Sequence, residues 1–201
     1  MKPTKSSLES ASLVLYGGSF DPVHCAHIQM AQSAIGQLGL SKVVFIPSAR
    51  SPLSPSPTIA SDEERMKMLH LATANEPRFE VDDCEIQRGG ISYTIDTVSM
   101  FRARYPKAEI YWIVGADQME QIHKWYRIED IVAELTFIIL RRPGHIIADS
   151  LVPGLQYTVL NAPMMPHRSS LIRKALKVGH SCKELVPTAV EAFISEQGIY
   201  N

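Results

Sequence analysis

The sequence predicts an α/β fold in which a doubly wound parallel sheet carries helices on both faces. Segments rich in Val, Ile and Leu alternate along the chain with segments whose apolar residues have helical spacing. The strand-like segments are continuous apolar runs, which is typical of parallel strands buried on both faces. Ligands of such sheets bind at the carboxyl ends of the strands, so motifs at those ends are the first place to look for function.

The composition favours one globular domain. The chain has 201 residues, 45% of them hydrophobic, and a formal net charge of -1. We expect a flexible tail over residues 1–11 and a single domain over residues 12–201. The near-neutral charge argues against nucleic-acid binding, and no apolar run is long enough for a membrane span. Three cysteines without a CxxC pair predict reduced thiols and a cytoplasmic protein, while a homo-oligomer stays open.

The first elements form a unit of the size of a βαβ motif. We expect a strand at Ser12–Tyr16, a helix at Pro22–Leu38 and a strand at Lys42–Pro47. Asp21 is expected to cap the helix, with Pro22 at its first position and Gly39 at its end.

A proline-rich loop, Ser48–Ala60, follows the second strand. Loops of this length are often functional, and a disordered surface insertion is the alternative. Ser61 and Glu64 then form the pattern of a capping box, which predicts a helix that runs to about Asn75.

The remaining chain continues the alternation of strands and helices. We expect strands near Phe79–Glu85, Glu109–Gly115, Thr136–Gly144 and Leu155–Pro163, and helices at Thr94–Arg104, Gln118–His123, Ile128–Leu135, Ser170–Val178 and Pro187–Gln197. The strand ends at Gly17-Gly18, Pro47-Ser48, Gly115-Ala116 and Arg141-Arg142 should converge on one crevice.

The stretch "GGSFDPVHCAH", Gly17–His27, predicts an anion site. Glycines let backbone N–H groups approach an anion, and a helix that begins just after them adds further N–H groups and its dipole. His24 and His27 are one turn apart, so both imidazoles face the same side and can donate to phosphate oxygens. Two alternatives to an anion site stay open. His24, Cys25 and His27 could bind zinc, or the two histidines could simply pack in the core. Cys25 is expected to have a depressed pKa at this helix start.

The stretch "PHRSSLIRKALK", Pro166–Lys177, predicts a second site of this kind. Ser169 and Ser170 are candidate N-caps, and Arg173 lies one turn into the helix, where it suits phosphate oxygens. A capped, solvated basic helix is the alternative. The usual GxGxxG, GxxxxGK[ST] and GxSxG motifs are absent. Two helix N-termini suited to phosphate in one α/β chain favour a nucleoside triphosphate as the ligand.

Several motifs together resemble a known superfamily. Gly17–His27 resembles the (H/T)xGH signature of the nucleotidylyltransferases, and Ser169–Arg173 resembles their ISSTxIR signature. Between them, Ile91–Val98 and Trp112–Ile131 are similar to the bacterial nicotinate-mononucleotide adenylyltransferases. The resemblance implies a Rossmann-like fold of the nucleotidylyltransferase type. It also implies adenylyl transfer from ATP, accompanied by Mg²⁺, to nicotinate mononucleotide in NAD biosynthesis. Nicotinamide mononucleotide, phosphopantetheine or another acceptor, and a catalytically weak nucleotide-binding protein, are the alternatives.

The same resemblance implies residue roles. His24, His27 and Arg173 would act on the phosphates during catalysis. Further ATP contacts would come from Gly17, Gly18, Ser19, Phe20, Gly115, Asp117, Ser169 and Ser170, and mononucleotide contacts from Thr94, Trp125 and Tyr126. Trp125 would stack on the pyridine ring, with core packing as its alternative. Asp117 would bind a ribose, or else cap a helix.

The sequence departs from the family pattern in three places. Ala26 replaces a glycine between the two histidines, where its methyl group could crowd the adenosine. The loop after the second strand reads "RSPLSPSP" without the usual His-Lys pair, which leaves Arg50 as the candidate cation. His167-Arg168 stand where Ile-Ser is usual.

Overall fold

The computed structural model describes residues 12–54, 56–140, 152–161 and 167–201. The tail predicted for residues 1–11 and the strand end expected at Arg141-Arg142 lie outside the described residues.

Six parallel strands form one sheet in the order β3-β2-β1-β4-β5-β6. Their bounds are β1 Leu13–Gly18, β2 Lys42–Pro47, β3 Phe79–Val81, β4 Ile110–Gly115, β5 Thr136–Leu140 and β6 Tyr157–Leu160. This order is that of a doubly wound sheet, whose connections run outward in opposite directions from the centre. The predicted fold class is confirmed.

The helices cover both faces of this sheet. Their bounds are α1 Cys25–Leu38, α2 Asp62–Thr73, α3 Cys84–Arg88, α4 Thr94–Arg104, α5 Ala116–Met119, α6 Ile128–Glu134, α7 Ser169–Lys177 and α8 Thr188–Gln197, with a 3₁₀ turn at Ile122–Lys124. Successive strand residues point to opposite faces. Val14 therefore packs into the core under α1, α2, α7 and α8, whereas Leu15 packs into the core under α4, α5 and α6.

Local signals locate most helix ends correctly. Gly39 ends α1 in the left-handed conformation, with a φ of 63°. Ser61 and Glu64 form the predicted capping box at the start of α2. The chain at Lys42–Pro47 and at Thr94–Arg104 forms the predicted strand and helix with the predicted bounds.

Several expectations are wrong. The helix expected at Gln118–His123 is instead α5, Ala116–Met119, followed by the 3₁₀ turn Ile122–Lys124. The strand near Phe79 ends at Val81, because Asp82 accepts a hydrogen bond from the Cys84 N–H at 3.0 Å and turns the chain into α3. Helix α1 begins at Cys25 with His24 as its N-cap, rather than at Pro22. Asp21 does not cap it, because its carboxylate accepts from the backbone of a distant loop.

None of the helices in the described ranges has the length and apolar character needed to cross a bilayer.

Candidate active site

The centre of the sheet places the ends of β1 and β4 side by side. The chain leaves β1 toward β2 and leaves β4 toward β5, so the two connections diverge and open a crevice above Gly18 and Gly115. Gly17 is required at this edge. A Cβ atom there would lie 2.5 Å from the indole of Trp112, closer than real Cβ contacts allow.

A cavity of about 410 Å³ opens at this edge. It is lined by Gly17, Gly18, Ser19, Ser48, Ser51, Pro52, Leu53, Glu85, Ser92, Tyr93, Thr94, Trp112, Gln118, Lys124, Trp125, Tyr126 and Ile131. The lining thus includes the glycine loop, Gly17-Gly18-Ser19, together with the three residues predicted to contact the mononucleotide, Thr94, Trp125 and Tyr126. The other predicted residues lie outside this lining, on the α1 and α7 side or at the start of α5.

The glycine loop is held from two neighbouring elements. Arg65 of α2 is fully buried and donates from Nη1 to the Ser19 carbonyl at 2.8 Å, while its Nη2 bonds Asp62 at 2.5 Å. The Ser48 N–H donates to the Gly18 carbonyl at 2.9 Å. The sequence analysis missed Arg65, although Met68 and Leu69 follow it at helical spacing and mark its face as the buried one.

Phe20 can contribute only its backbone to a ligand. Its side chain is buried and meets the rings of Tyr16, His27 and Phe45 at centroid distances of 5.4, 5.1 and 5.8 Å. Its φ of 47° places the backbone in the left-handed region, which turns the chain sharply after Ser19.

His24 and His27 share one side of the start of α1, as predicted. Their rings are stacked, with centroids 3.6 Å apart and an interplanar angle of 18°. The His24 backbone N–H donates to His27 Nδ1 at 3.2 Å. A nitrogen that accepts a hydrogen bond carries no proton in the neutral ring, so Nε2 of His27 carries the proton and remains a donor.

The sequence left two alternatives for the start of α1, a zinc site and packing of the two histidines in the core. Within the described ranges, no three His, Cys, Asp or Glu side chains gather closely enough to hold a metal ion, so His24, Cys25 and His27 form no zinc site. Core packing is partly true, since His24 is buried and His27 half-buried against Phe20. Burial raises the pKa of Cys25, so the expectation of a depressed pKa is wrong. The Cys25 N–H donates to the Leu185 carbonyl at 2.9 Å instead of facing an anion.

The start of α7 lies against the turn between β1 and α1. Ser169 Oγ donates to the Pro22 carbonyl at 3.0 Å, and Arg173 Nη1 donates to the Asp21 carbonyl at 2.6 Å. The N-cap is Arg168, so the expectation that Ser169 or Ser170 caps α7 is wrong, because Ser169 bonds the neighbouring turn instead. Ser170 is exposed. The structure therefore brings the two predicted phosphate sites together.

Gly115 and Asp117 stand where β4 passes into α5. Gly115 is the N-cap of α5, and Asp117 lies exposed in its first turn, so the N-cap alternative for Asp117 is wrong. A Cβ atom at Gly115 would lie 2.7 Å from Asp117 Oδ1. The contact of Asp117 with a ribose stays a prediction.

The wall predicted for the mononucleotide is partly aromatic. Trp125 is half-buried and meets the edge of Phe137 at a centroid distance of 6.0 Å, so it both packs on the core and lines the cavity. Tyr126 is exposed and lies against Tyr93 at 4.6 Å. Thr94 lines the cavity as the first residue of α4.

The first part of the proline-rich loop closes another side of the cavity through Ser51, Pro52 and Leu53. Two hydrogen bonds attach this loop to Ser92: the Ala49 N–H donates to Ser92 Oγ at 3.0 Å, and the Ser92 N–H donates to the Arg50 carbonyl at 2.8 Å. A disordered insertion is therefore wrong for this part of the loop.

Two further lining residues, Lys124 and Glu85, were not predicted, whereas Ser48 lies at a strand end that was expected to face this crevice. Lys124 lines the cavity, whereas the expected cation, Arg50, is exposed outside the lining. Glu85 is buried and accepts from Thr97 Oγ1 at 2.6 Å, and burial raises the pKa of its carboxyl group. Ser48 is 5% exposed, and its Oγ has no hydrogen-bond partner among the described residues. Lys124 and Glu85 lie far apart in sequence, so no local pattern marks them as lining residues.

Comparisons with known proteins agree with this geometry. A family model described as cytidylyltransferase-like matches residues 15–175. A probable nicotinate-nucleotide adenylyltransferase of Opitutus terrae is 38% identical over 185 residues, which cover 92% of this chain and 95% of that protein. A protein of the same name from Geobacillus kaustophilus is 36% identical over 186 residues, with 92% and 84% covered.

The fold also matches a solved structure. Plasmodium falciparum nicotinic acid mononucleotide adenylyltransferase, solved in complex with NaAD, superposes with a TM-score of 0.80 at 22% identity, over 94% of this chain and 97% of that one. The match of the family model over most of the chain, and the identity to full-length relatives, decide the family. The chain belongs to the cytidylyltransferase-like family and, within it, to the nicotinate-nucleotide adenylyltransferases.

Proposed function

We propose that this protein transfers the adenylyl group of ATP to nicotinate mononucleotide, giving nicotinate adenine dinucleotide and pyrophosphate. The observation that carries the proposal is that the Gly17-Gly18-Ser19 loop lines the same cavity as Thr94, Trp125 and Tyr126. The relatives at 36–38% identity bear the name of this activity. A site for two nucleotides needs a phosphate side and a base side that share one space.

The base side suits a nicotinate ring. Trp125 offers an aromatic surface for stacking, and the start of α4 at Thr94 offers backbone N–H groups and the positive end of a helix dipole to a carboxylate. Tyr126 adds a second aromatic side chain at the cavity wall. Two buried polar atoms of lining residues, Ser48 Oγ and Trp125 Nε1, have no hydrogen-bond partner among the described residues and are suited to a polar ligand.

The phosphate side suits ATP. The glycine loop presents backbone N–H groups, and His24, His27 and Arg173 lie beside it. The proposal assigns Ser169 and Ser170, at the start of α7, to the outer phosphates, and Gly115 with Asp117, at the start of α5, to the adenosine. Mg²⁺ arrives with ATP as part of the substrate, held mainly by phosphate oxygens and water.

The reaction is an in-line displacement at the α-phosphorus of ATP. An oxygen of the mononucleotide 5′-phosphate forms the new bond, and the bond from the α-phosphorus to the oxygen that bridges to the β-phosphorus breaks, so pyrophosphate leaves. The second pKa of a phosphate monoester is about 6, so the nucleophile is already an anion and needs no general base. Positioning and charge stabilisation then supply the catalysis. His27 Nε2–H and the Arg173 guanidinium donate to the charge that gathers on the leaving group.

A panel of acceptors tests this function. The protein is incubated with Mg-ATP and with nicotinate mononucleotide, nicotinamide mononucleotide or phosphopantetheine in turn, and pyrophosphate and the adenylylated product are measured. We expect the highest kcat/KM with nicotinate mononucleotide. A higher value with another acceptor would overturn the substrate, and no pyrophosphate with any acceptor would leave a nucleotide-binding protein.

A further inference from the structure

Asp21 is a buried junction between four parts of the chain. The residue is 4% exposed. Oδ1 accepts from the Tyr200 hydroxyl at 2.7 Å and from the Ala60 N–H at 3.1 Å, and Oδ2 accepts from the Ile59 N–H at 2.9 Å. The end of the proline-rich loop and the segment after α8 therefore meet on one carboxylate, at the turn that joins the glycine loop to α1.

The same residue fixes Arg173. Arg173 Nη1 donates to the main-chain carbonyl of Asp21 at 2.6 Å and lies 3.6 Å from Oδ2. Both contacts use one nitrogen of the guanidinium, so Nη2 and Nε are not committed to Asp21. The Arg173 side chain is thus held by the main-chain carbonyl of Asp21 and, at a longer distance, by its carboxylate.

The backbone on both sides of this contact is strained. Tyr200 has a φ of 73°, and Phe20, next to Asp21, has a φ of 47°. Bulky side chains rarely adopt this left-handed region, and they persist there only when their surroundings determine them. Tyr200 is 7% exposed. Burial and the Asp21 carboxylate raise the pKa of its hydroxyl, so the hydroxyl stays a neutral donor.

We propose that Tyr200 is a positioning residue of the active site, whose hydroxyl orients Asp21 and through it the Arg173 guanidinium. The proposal rests on the role given to Arg173 under the proposed function. Without the hydroxyl, the Asp21 carboxylate keeps the Ile59 and Ala60 N–H groups but loses its shortest hydrogen bond, so it is held less firmly beside Arg173 Nη1. Tyr200 acts through Asp21 and not by contact with a substrate.

The test is a double-mutant cycle of Tyr200→Phe and Arg173→Ala, followed by kcat/KM for Mg-ATP. In the wild-type background we expect Tyr200→Phe to lower this value about tenfold, the scale of one hydrogen bond to a buried charged group. In the Arg173→Ala background we expect no further loss, because the residue through which Tyr200 acts is gone. The KM for the mononucleotide should stay within about twofold in Tyr200→Phe, since the cavity wall is unchanged.

Tyr111→Phe is the matched control. The Tyr111 hydroxyl donates to Glu109 at 3.2 Å near the amino end of β4, away from the cavity, and its removal should leave kcat/KM unchanged. Melting temperatures of all variants separate the loss of stability from the loss of activity. If Tyr200→Phe melts below the assay temperature, Asp21→Asn replaces it in the cycle and should show the same coupling to Arg173.

Equal losses in both backgrounds, or wild-type kinetics for Tyr200→Phe, would overturn the proposal. If the wild type releases no pyrophosphate with any acceptor, the proposed function fails, and the same cycle is then read from the affinity of the four proteins for Mg-ATP by calorimetry. Coupling in that affinity supports the role of Tyr200, and additive losses overturn it.

Discussion

His27 shows how a main-chain contact can prepare a side chain for phosphate chemistry. Its Nδ1 accepts from the His24 N–H, which leaves Nε2–H as the donor of the neutral ring. The stacked His24 ring and the edges of Tyr16 and Phe20 restrict rotation of His27. The donor is therefore fixed before a substrate arrives, which is the condition under which a hydrogen bond stabilises a transition state strongly.

His27→Ala should lower kcat for pyrophosphate release by about two to three powers of ten, the usual cost of losing one preorganised donor. The circular dichroism spectrum should not change, since His27 is only half-buried. His70→Ala, at an exposed position of α2, is the control and should retain wild-type kinetics. Near wild-type turnover of His27→Ala would remove His27 from the mechanism.

Ser48 should show opposite effects on stability and on binding. A buried hydroxyl without a partner costs free energy, so Ser48→Ala should leave the melting temperature of the ligand-free protein unchanged or higher. The KM for the mononucleotide should rise about tenfold if that hydroxyl bonds the ligand. Ser54→Ala, at an exposed position outside the cavity lining, is the control. A lower melting temperature together with an unchanged KM would make Ser48 a structural residue.

At the scale of single elements, α2 links a surface capping box to the glycine loop. The capping box of Ser61 and Glu64 fixes the first turn of α2. Arg65, one turn after Ser61, donates to the Ser19 carbonyl, which follows the end of β1. The planar guanidinium can bond Ser19 and Asp62 at the same time, whereas an ammonium group is a single point charge.

Arg65→Lys should therefore lower both the melting temperature and kcat/KM for ATP, the latter about tenfold, because one of the two hydrogen bonds is lost. Thermal unfolding and initial rates of pyrophosphate release measure the two effects. Lys67→Ala, at an exposed position of the same helix, should change neither. A variant that loses stability with unchanged kcat/KM would show that the loop keeps its shape without Arg65.

The elements also show what the sequence could predict. Gly39 and the Ser61 capping box were predicted because their partners lie within four residues. Asp21 was misassigned as an N-cap because its actual partners stand at positions 59, 60, 173 and 200, which no local pattern relates to it. Trp125 was predicted through a resemblance, and its dual role in core and cavity appears only in the fold. Lys124 and Glu85 carry no sequence signal that separates them from surface charges.

At the scale of the molecule, the strand order explains why distant motifs share one site. The strands that carry Gly17 and Gly115 are neighbours although almost one hundred positions separate them, and α7 returns to the turn between β1 and α1. The cavity consequently runs from the glycine loop to the wall at Trp125 without a break.

One continuous cavity predicts that a ligand that spans both sides stabilises the fold more than either half. Ligand binding at one hundred times Kd contributes about 2.7 kcal/mol, or about 5–10 °C in the melting temperature of a chain of this size. Thermal shift measurements at equal concentrations should show a larger rise with nicotinate adenine dinucleotide than with AMP or nicotinate mononucleotide. A shift equal to that of AMP would mean that the base side is unused.

The close approach of Gly17 and Trp112 restricts the order in which these two positions can change during evolution. Gly17 lines the cavity, yet the space that a larger residue would need there is filled by the indole of Trp112 in the core. A lineage could acquire a side chain at position 17 only after position 112 had already become smaller. Trp112, on another strand, thus keeps the glycine loop from changing at position 17, and a change at position 112 has to come first.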